Sequence, residues 1–155
     1  MAIVKLIDVV RYTESGNNYH ALRFEPELYQ NKPEWVTNQI QNIRESFGSF
    51  VSEETCLMVA CSSFGAYQML GANISAYGGI KSGFSIFDFI QNDIAQDNAS
   101  KKMIRGLGFD PNIDFSLINA FDLDSFSSKW NGPGNISGYS NALKKSFEFL
   151  EKVSA

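Results

Sequence analysis

Cysteine, histidine and proline are scarce in this chain: two, one and four residues of 155. Cys56 and Cys61 fall in one apolar helical pattern that points their side chains apart, and no histidine lies near them. Neither a disulfide nor a zinc set is expected, and both read as buried thiols. His20 alone cannot build a histidine-rich metal site and reads as a polar residue at a turn, so no metal and no cofactor are expected. No apolar run reaches the roughly 18 residues of a membrane helix. Lys5 and Asp8 also interrupt the apolar start, so neither membrane insertion nor a signal peptide is expected, and synthesis is cytoplasmic. An excess of basic charge is missing as well: 13 Lys and Arg face 17 Asp and Glu, a net charge of −4. That balance argues against binding to a phosphate backbone, and nucleic acid is not an expected partner.

Aromatic bulk is abundant, with 13 Phe, 6 Tyr and 2 Trp in a chain that is 44% apolar. Such a chain builds a packed core, and its length fits one domain over residues 1–155, without repeats or a linker. Apolar residues from Ile3 to Val10 recur at helical spacing and predict a first helix from Ala2 to about Thr13, stopping near Gly16, with Glu14 at its C-terminal end. Tyr19 to Phe24 alternates weakly before Pro26 and suits a short strand or extended turn. Pro33 opens a second helix to about Phe47 with Trp35, Ile40 and Ile43 on one side. Ser52 caps a third through Ala60. Residues 62–79 mix small, polar and aromatic side chains that periodicity does not resolve. Helical patterns resume over Ile86 to Asp97, Ser100 to Leu107, Asp114 to Ala120, Leu123 to Lys129 and Tyr139 to Val153. The fold class is α+β, predominantly helical, with a small extended or hairpin region near residues 18–25.

Three segments carry candidate chemistry. The first is the carboxylate pair Glu14 and Glu25. Glycosidic cleavage needs an acid still protonated near neutral pH and often a second, ionised carboxylate. The negative end of a helix disfavours a charged Glu14, while Arg23 favours a charged Glu25, so one fold can hold the two in opposite states. The second runs from Ser62 to Gly71. Its small residues, Ser63 among them, permit close backbone approach, while Tyr67 offers an aromatic face and Gln68 an amide that can bind a sugar or position a water. A glycine-containing helix packed on a neighbour is the alternative. The third is Lys129-Trp130-Asn131-Gly132-Pro133-Gly134 followed by Tyr139, either a helix-ending turn or an aromatic saccharide subsite.

In this order the segments resemble the lysozyme-like superfamily, most closely the N-acetylmuramidase family of phage endolysins. The resemblance spans nearly the whole chain and rests on short motifs: Glu14-Ser15-Gly16, Gly65-Ala66-Tyr67-Gln68-Met69, and Trp130-Asn131-Gly132 with Tyr139. Leu22-Arg23-Phe24-Glu25 and Cys61-Ser62-Ser63-Phe64-Gly65 add to it. Two departures are visible: Pro26-Glu27-Leu28 stands where the family has a histidine, and Phe64 where it has a tryptophan.

The resemblance implies a lysozyme-like fold and a peptidoglycan hydrolase cutting the β-1,4 bond between N-acetylmuramic acid and N-acetylglucosamine. Glu14 is then the catalytic acid and Glu25 its partner, with Ser63, Tyr67, Gln68, Trp130, Asn131 and Tyr139 contacting glycan. It also implies a monomer without a separate wall-binding domain, acting on the periplasmic wall after a membrane lesion opens the way. The alternatives are a lytic transglycosylase giving 1,6-anhydro products and a noncatalytic peptidoglycan-binding or virion protein on the same scaffold.

Overall fold

The computed structural model describes residues 3–47, 50–78 and 86–155. Helix α1 spans Leu6–Ser15 and buries Leu6, Ile7, Val9 and Val10. It starts later than its apolar pattern, because Lys5 is extended and bridges Asp114. The first-turn amides of Leu6 and Ile7 donate to the carbonyls of Ile113 and Pro111, which satisfies groups a helix start leaves open. Ala2 lies outside the described residues. At the other end Gly16 adopts φ 62° and its N–H closes on the Tyr12 carbonyl at 2.8 Å, a left-handed stop that suits glycine.

A three-stranded antiparallel sheet follows, in the order β1 (Leu22–Phe24), β2 (Ser62–Phe64), β3 (Met69–Leu70). Its register sets Arg23 opposite Ser63, and Ser63 opposite Leu70. Residues 62–70 are thus a β-hairpin and not the alternative helix. Every residue of β2 and β3 is buried, so the apolar/polar alternation that marks a half-exposed strand is missing from their sequence.

Between β1 and β2 the chain makes α2 (Pro26–Asn31), α3 (Glu34–Thr37), α4 (Ile40–Phe47) and α5 (Glu53–Ala60). Helix α2 was not expected. Pro26 serves at its first turn, where a missing N–H costs nothing. The helix expected from Pro33 to Phe47 is broken at Asn38 and Gln39, where the Gln39 side chain accepts a 2.7 Å hydrogen bond from Ser75. Trp35 consequently leaves the face of Ile43: Ile43 is fully buried and Trp35 is half exposed. Ser52 caps α5 as expected, its oxygen accepting from the Thr55 amide. Both thiols, Cys56 and Cys61, are free and buried, and burial pushes them up from the ordinary thiol range.

After β3, α6 (Gly71–Asn73) runs into a π-helical turn, Ile74–Gly78. Helices α7 (Ile86–Gln91) and α8 (Asp93–Gly106) are separated at Asn92, whose side chain caps α8 through the Ala95 amide. The break between the two helices expected over Ile86 to Leu107 thus falls at Asn92 and not between Asp97 and Ser100. The pattern from Asp114 to Ala120 yields only a 3-10 turn, Phe115–Leu117, because Asp114 turns back on the Ser116 amide. An antiparallel pair, α9 (Ala120–Asn131) and α10 (Ile136–Ser154), completes the chain. It is pinned by Ser127 to Ser140 at 2.7 Å and joined to α1 by Thr13 to Ser146 at 2.8 Å. The chain is mostly helical with one small sheet, an α+β arrangement. No helix among the described residues is long and apolar enough to cross a membrane.

Candidate active site

The end of α1, the face of the sheet and the α9–α10 turn enclose a cleft of about 530 Å³. Glu14 lines it from the last turn of α1, and two features fix that carboxyl. Behind it, Ser15 donates to the Ala66 carbonyl at 2.7 Å and accepts from the Asn18 amide, which ties the helix end to the hairpin turn. In front, the Trp130 indole donates to Glu14 Oε1 at 2.9 Å, and the Tyr139 hydroxyl donates to the same oxygen. Trp130 is steadied by stacking on the fully buried Phe126, with ring centroids 5.8 Å apart.

Burial raises the Glu14 carboxyl above the ordinary carboxylate range. Tyr139 and Trp130 oppose that rise, because both donate to the charged form; more distant Arg23 lowers it and Glu25 raises it. An indole N–H can only donate. Burial, then the Glu14 charge, pushes the Tyr139 phenol well above its usual value, so it too remains a donor. Oε1 is therefore occupied as an acceptor, and no hydrogen bond among the described residues engages Oε2.

Glu25 lines the same cleft. Its amide donates at 2.8 Å to the carbonyl of Cys61, the residue between α5 and β2. Arg23 grips both of its oxygens, Nε to Oε1 at 2.9 Å and a second nitrogen to Oε2 at 3.0 Å, while Ser63 approaches Oε1 at 3.4 Å. The cross-strand register of Arg23 and Ser63 brings these three groups together.

Of the remaining sequence candidates, Ser63, Gln68, Trp130 and Asn131 line the cleft. Gln68, at φ 47°, donates through its amide to the Gly65 carbonyl at 3.1 Å. Tyr139 is buried against Glu14 and does not itself line the cleft. Tyr67 was expected to present its face to glycan, but its ring is 1% exposed and its hydroxyl donates to Asp97 at 2.6 Å. It belongs to a polar network in which Tyr19 also donates to Asp97 and Arg11 donates to Tyr19.

Three cleft or supporting residues escaped the sequence reading. Arg23 was noted as a neighbouring charge and not as a two-oxygen clamp, a role set by strand register. Trp35 was placed on one side of an unbroken helix with Ile40 and Ile43. Gln96 is fully buried on α8; it accepts from the Ala66 amide at 2.9 Å and donates to the Tyr19 carbonyl at 3.0 Å, stapling the hairpin turn. No sequence pattern marks that amide.

The chain is similar to the endolysin of Enterobacteria phage PRD1, with 37% identity over 102 residues that cover 64% of this chain and 66% of that protein. The match spans just under two thirds of the relative's length. No family model matches the chain. No solved structure matches it either.

Proposed function

We propose that this chain is a peptidoglycan-cleaving glycosidase of the lysozyme type, an N-acetylmuramidase that cuts the β-1,4 bond between N-acetylmuramic acid and N-acetylglucosamine during phage lysis. One observation carries the reading: a carboxyl on a cleft wall, raised by burial, with one oxygen held by two donors and the other without a hydrogen bond among the described residues. The similarity to an endolysin supports the same substrate class.

In this mechanism Glu14 Oε2 gives its proton to the bridging oxygen as the bond to the anomeric carbon breaks, and the bonding electrons leave with that oxygen. Tyr139 and Trp130 then stabilise the carboxylate that forms, an interaction stronger after proton transfer than before it. Glu25, oriented by Arg23, supports the positive charge developing on the sugar or activates the attacking water. Ser63, Gln68 and Asn131 supply hydrogen bonds along the glycan.

The test is clearance of outer-membrane-stripped Gram-negative cells, followed by mass analysis of the released fragments. A hydrolase adds one water per bond cut. A lytic transglycosylase instead closes a 1,6-anhydro ring, so its product is lighter by one water. The grip of Arg23 on both Glu25 oxygens favours this second reading, since a transglycosylase needs no second carboxylate. Glu25→Gln separates the two: about a 100-fold loss of turnover is expected for the hydrolase. Activity near wild type, with anhydro products, would assign the chain to the transglycosylases.

A further inference from the structure

The two tryptophans stand in opposite situations. Trp130 is committed within the protein, stacked on Phe126 and bonded to Glu14. Trp35 lines the same cleft, is 51% exposed, and has neither a ring partner nor a hydrogen bond among the described residues. Its exposure is not that of a loose segment. Val36, the next residue of α3, is fully buried, and the Val36 and Thr37 amides both close on the Pro33 carbonyl. The helix is anchored by one side chain while the neighbouring one is held out over the cleft.

A half-exposed indole leaves a large apolar area in water, available to a ligand. Leu28 lines the cleft as well and adds apolar surface, and the amide-bearing residues Gln68 and Asn73 line the same space. A flat apolar plate combined with amide donors and acceptors matches a pyranose ring, which has C–H groups on its faces and hydroxyl or N-acetyl groups at its edge.

We propose that Trp35 is a stacking platform for a glycan ring, forming an outer subsite at the exposed rim of the cleft that Glu14 also lines. The proposal rests on the glycosidase reading for its ligand and adds to it the residue that holds the strand beyond the bond being cut.

The test uses the full chain carrying Glu14→Gln, titrated with β-1,4-linked N-acetylglucosamine dimer and tetramer. Adding Trp35→Ala is expected to weaken tetramer binding about tenfold, within the range of a well-formed aromatic contact. Dimer binding should weaken less than about threefold, because a short ligand gains little from an outer subsite. Trp35→Phe, which keeps a π face, should fall between. The indole N–H resonance of Trp35 should shift on adding tetramer.

Unchanged tetramer affinity in Trp35→Ala overturns the proposal. So does equal weakening for dimer and tetramer, which marks a residue acting on the fold. The two readings fail separately. Wild-type protein that clears cell walls while Trp35→Ala binds tetramer normally removes the platform alone. Protein that releases no reducing ends yet binds tetramer through Trp35 removes the hydrolase alone.

Discussion

Glu14→Gln is expected to lower wall-clearing activity about 1000-fold while leaving the protein folded. General acid catalysis contributes roughly 10²–10⁴-fold, and glutamine has the shape of glutamic acid without a proton to give. Its carbonyl oxygen can still accept from Trp130 and Tyr139, so the local packing survives. The same variant should be more stable than wild type at neutral pH. In the folded state the Glu14 carboxyl is raised above its ordinary value of 4.5. Between the unfolded and folded values the native state therefore binds the extra proton. The stability it contributes is complete below the unfolded value and lost as pH rises through the folded one. Glutamine does not ionise and escapes that loss. Its melting temperature should exceed wild type's at pH 7 and match it below pH 4. Turbidity clearance and a pair of melting curves read both effects. An undiminished rate would remove Glu14 from the chemistry.

Gly65→Ala is expected to damage the site's scaffold through a single added methyl group. Gly65 sits at φ +77°, and a Cβ there would lie 2.1 Å from Gln96 Oε1. The left-handed backbone costs an alanine about 1–2 kcal/mol. Displacing Gln96 also strands the Ala66 amide, and a buried unsatisfied group costs about 1–3 kcal/mol more. A loss of about 3 kcal/mol is expected, which for this chain length lowers the melting temperature by roughly 10 °C. Gln96→Ala removes the clash and strands the same amide, so the double variant should be more stable than the sum of the single losses allows. Strict additivity in melting curves would show that the turn and α8 are not coupled. Activity should fall with the turn, since it carries Gln68 and receives the hydroxyl of Ser15.

The parts of this molecule that can be read from sequence are those whose signal is local. The apolar spacing before Glu14 and the glycine after Ser15 locate the end of α1 within two residues. Ser52 before two glutamates marks α5, and the long pattern ending at Val153 marks α10. The site is legible to the extent that Glu14 ends a helix. Its two partners are 116 and 125 positions away, and only the packing of α9 and α10 on the end of α1 brings them to one oxygen. The hairpin was hidden because both of its strands are buried, and Tyr67 was misplaced because an aromatic beside Gln68 looks the same whether it faces a cleft or Asp97. Trp35 was lost through one turn at Asn38 and Gln39, which rotates a helix face that periodicity treats as continuous.

The most direct measurement is a carbon-13 NMR titration of the Glu14 carboxyl, in wild type and in Tyr139→Phe. In wild type the group is expected to titrate above the ordinary 4.5, because burial outweighs the two hydrogen bonds. Removing the Tyr139 donor takes away a bond to the charged form, so the midpoint should move further up, and the alkaline limb of activity with it. A wild-type midpoint at or below 4.5 would contradict the picture of a proton held on Oε2, and with it the role of Glu14 as the acid.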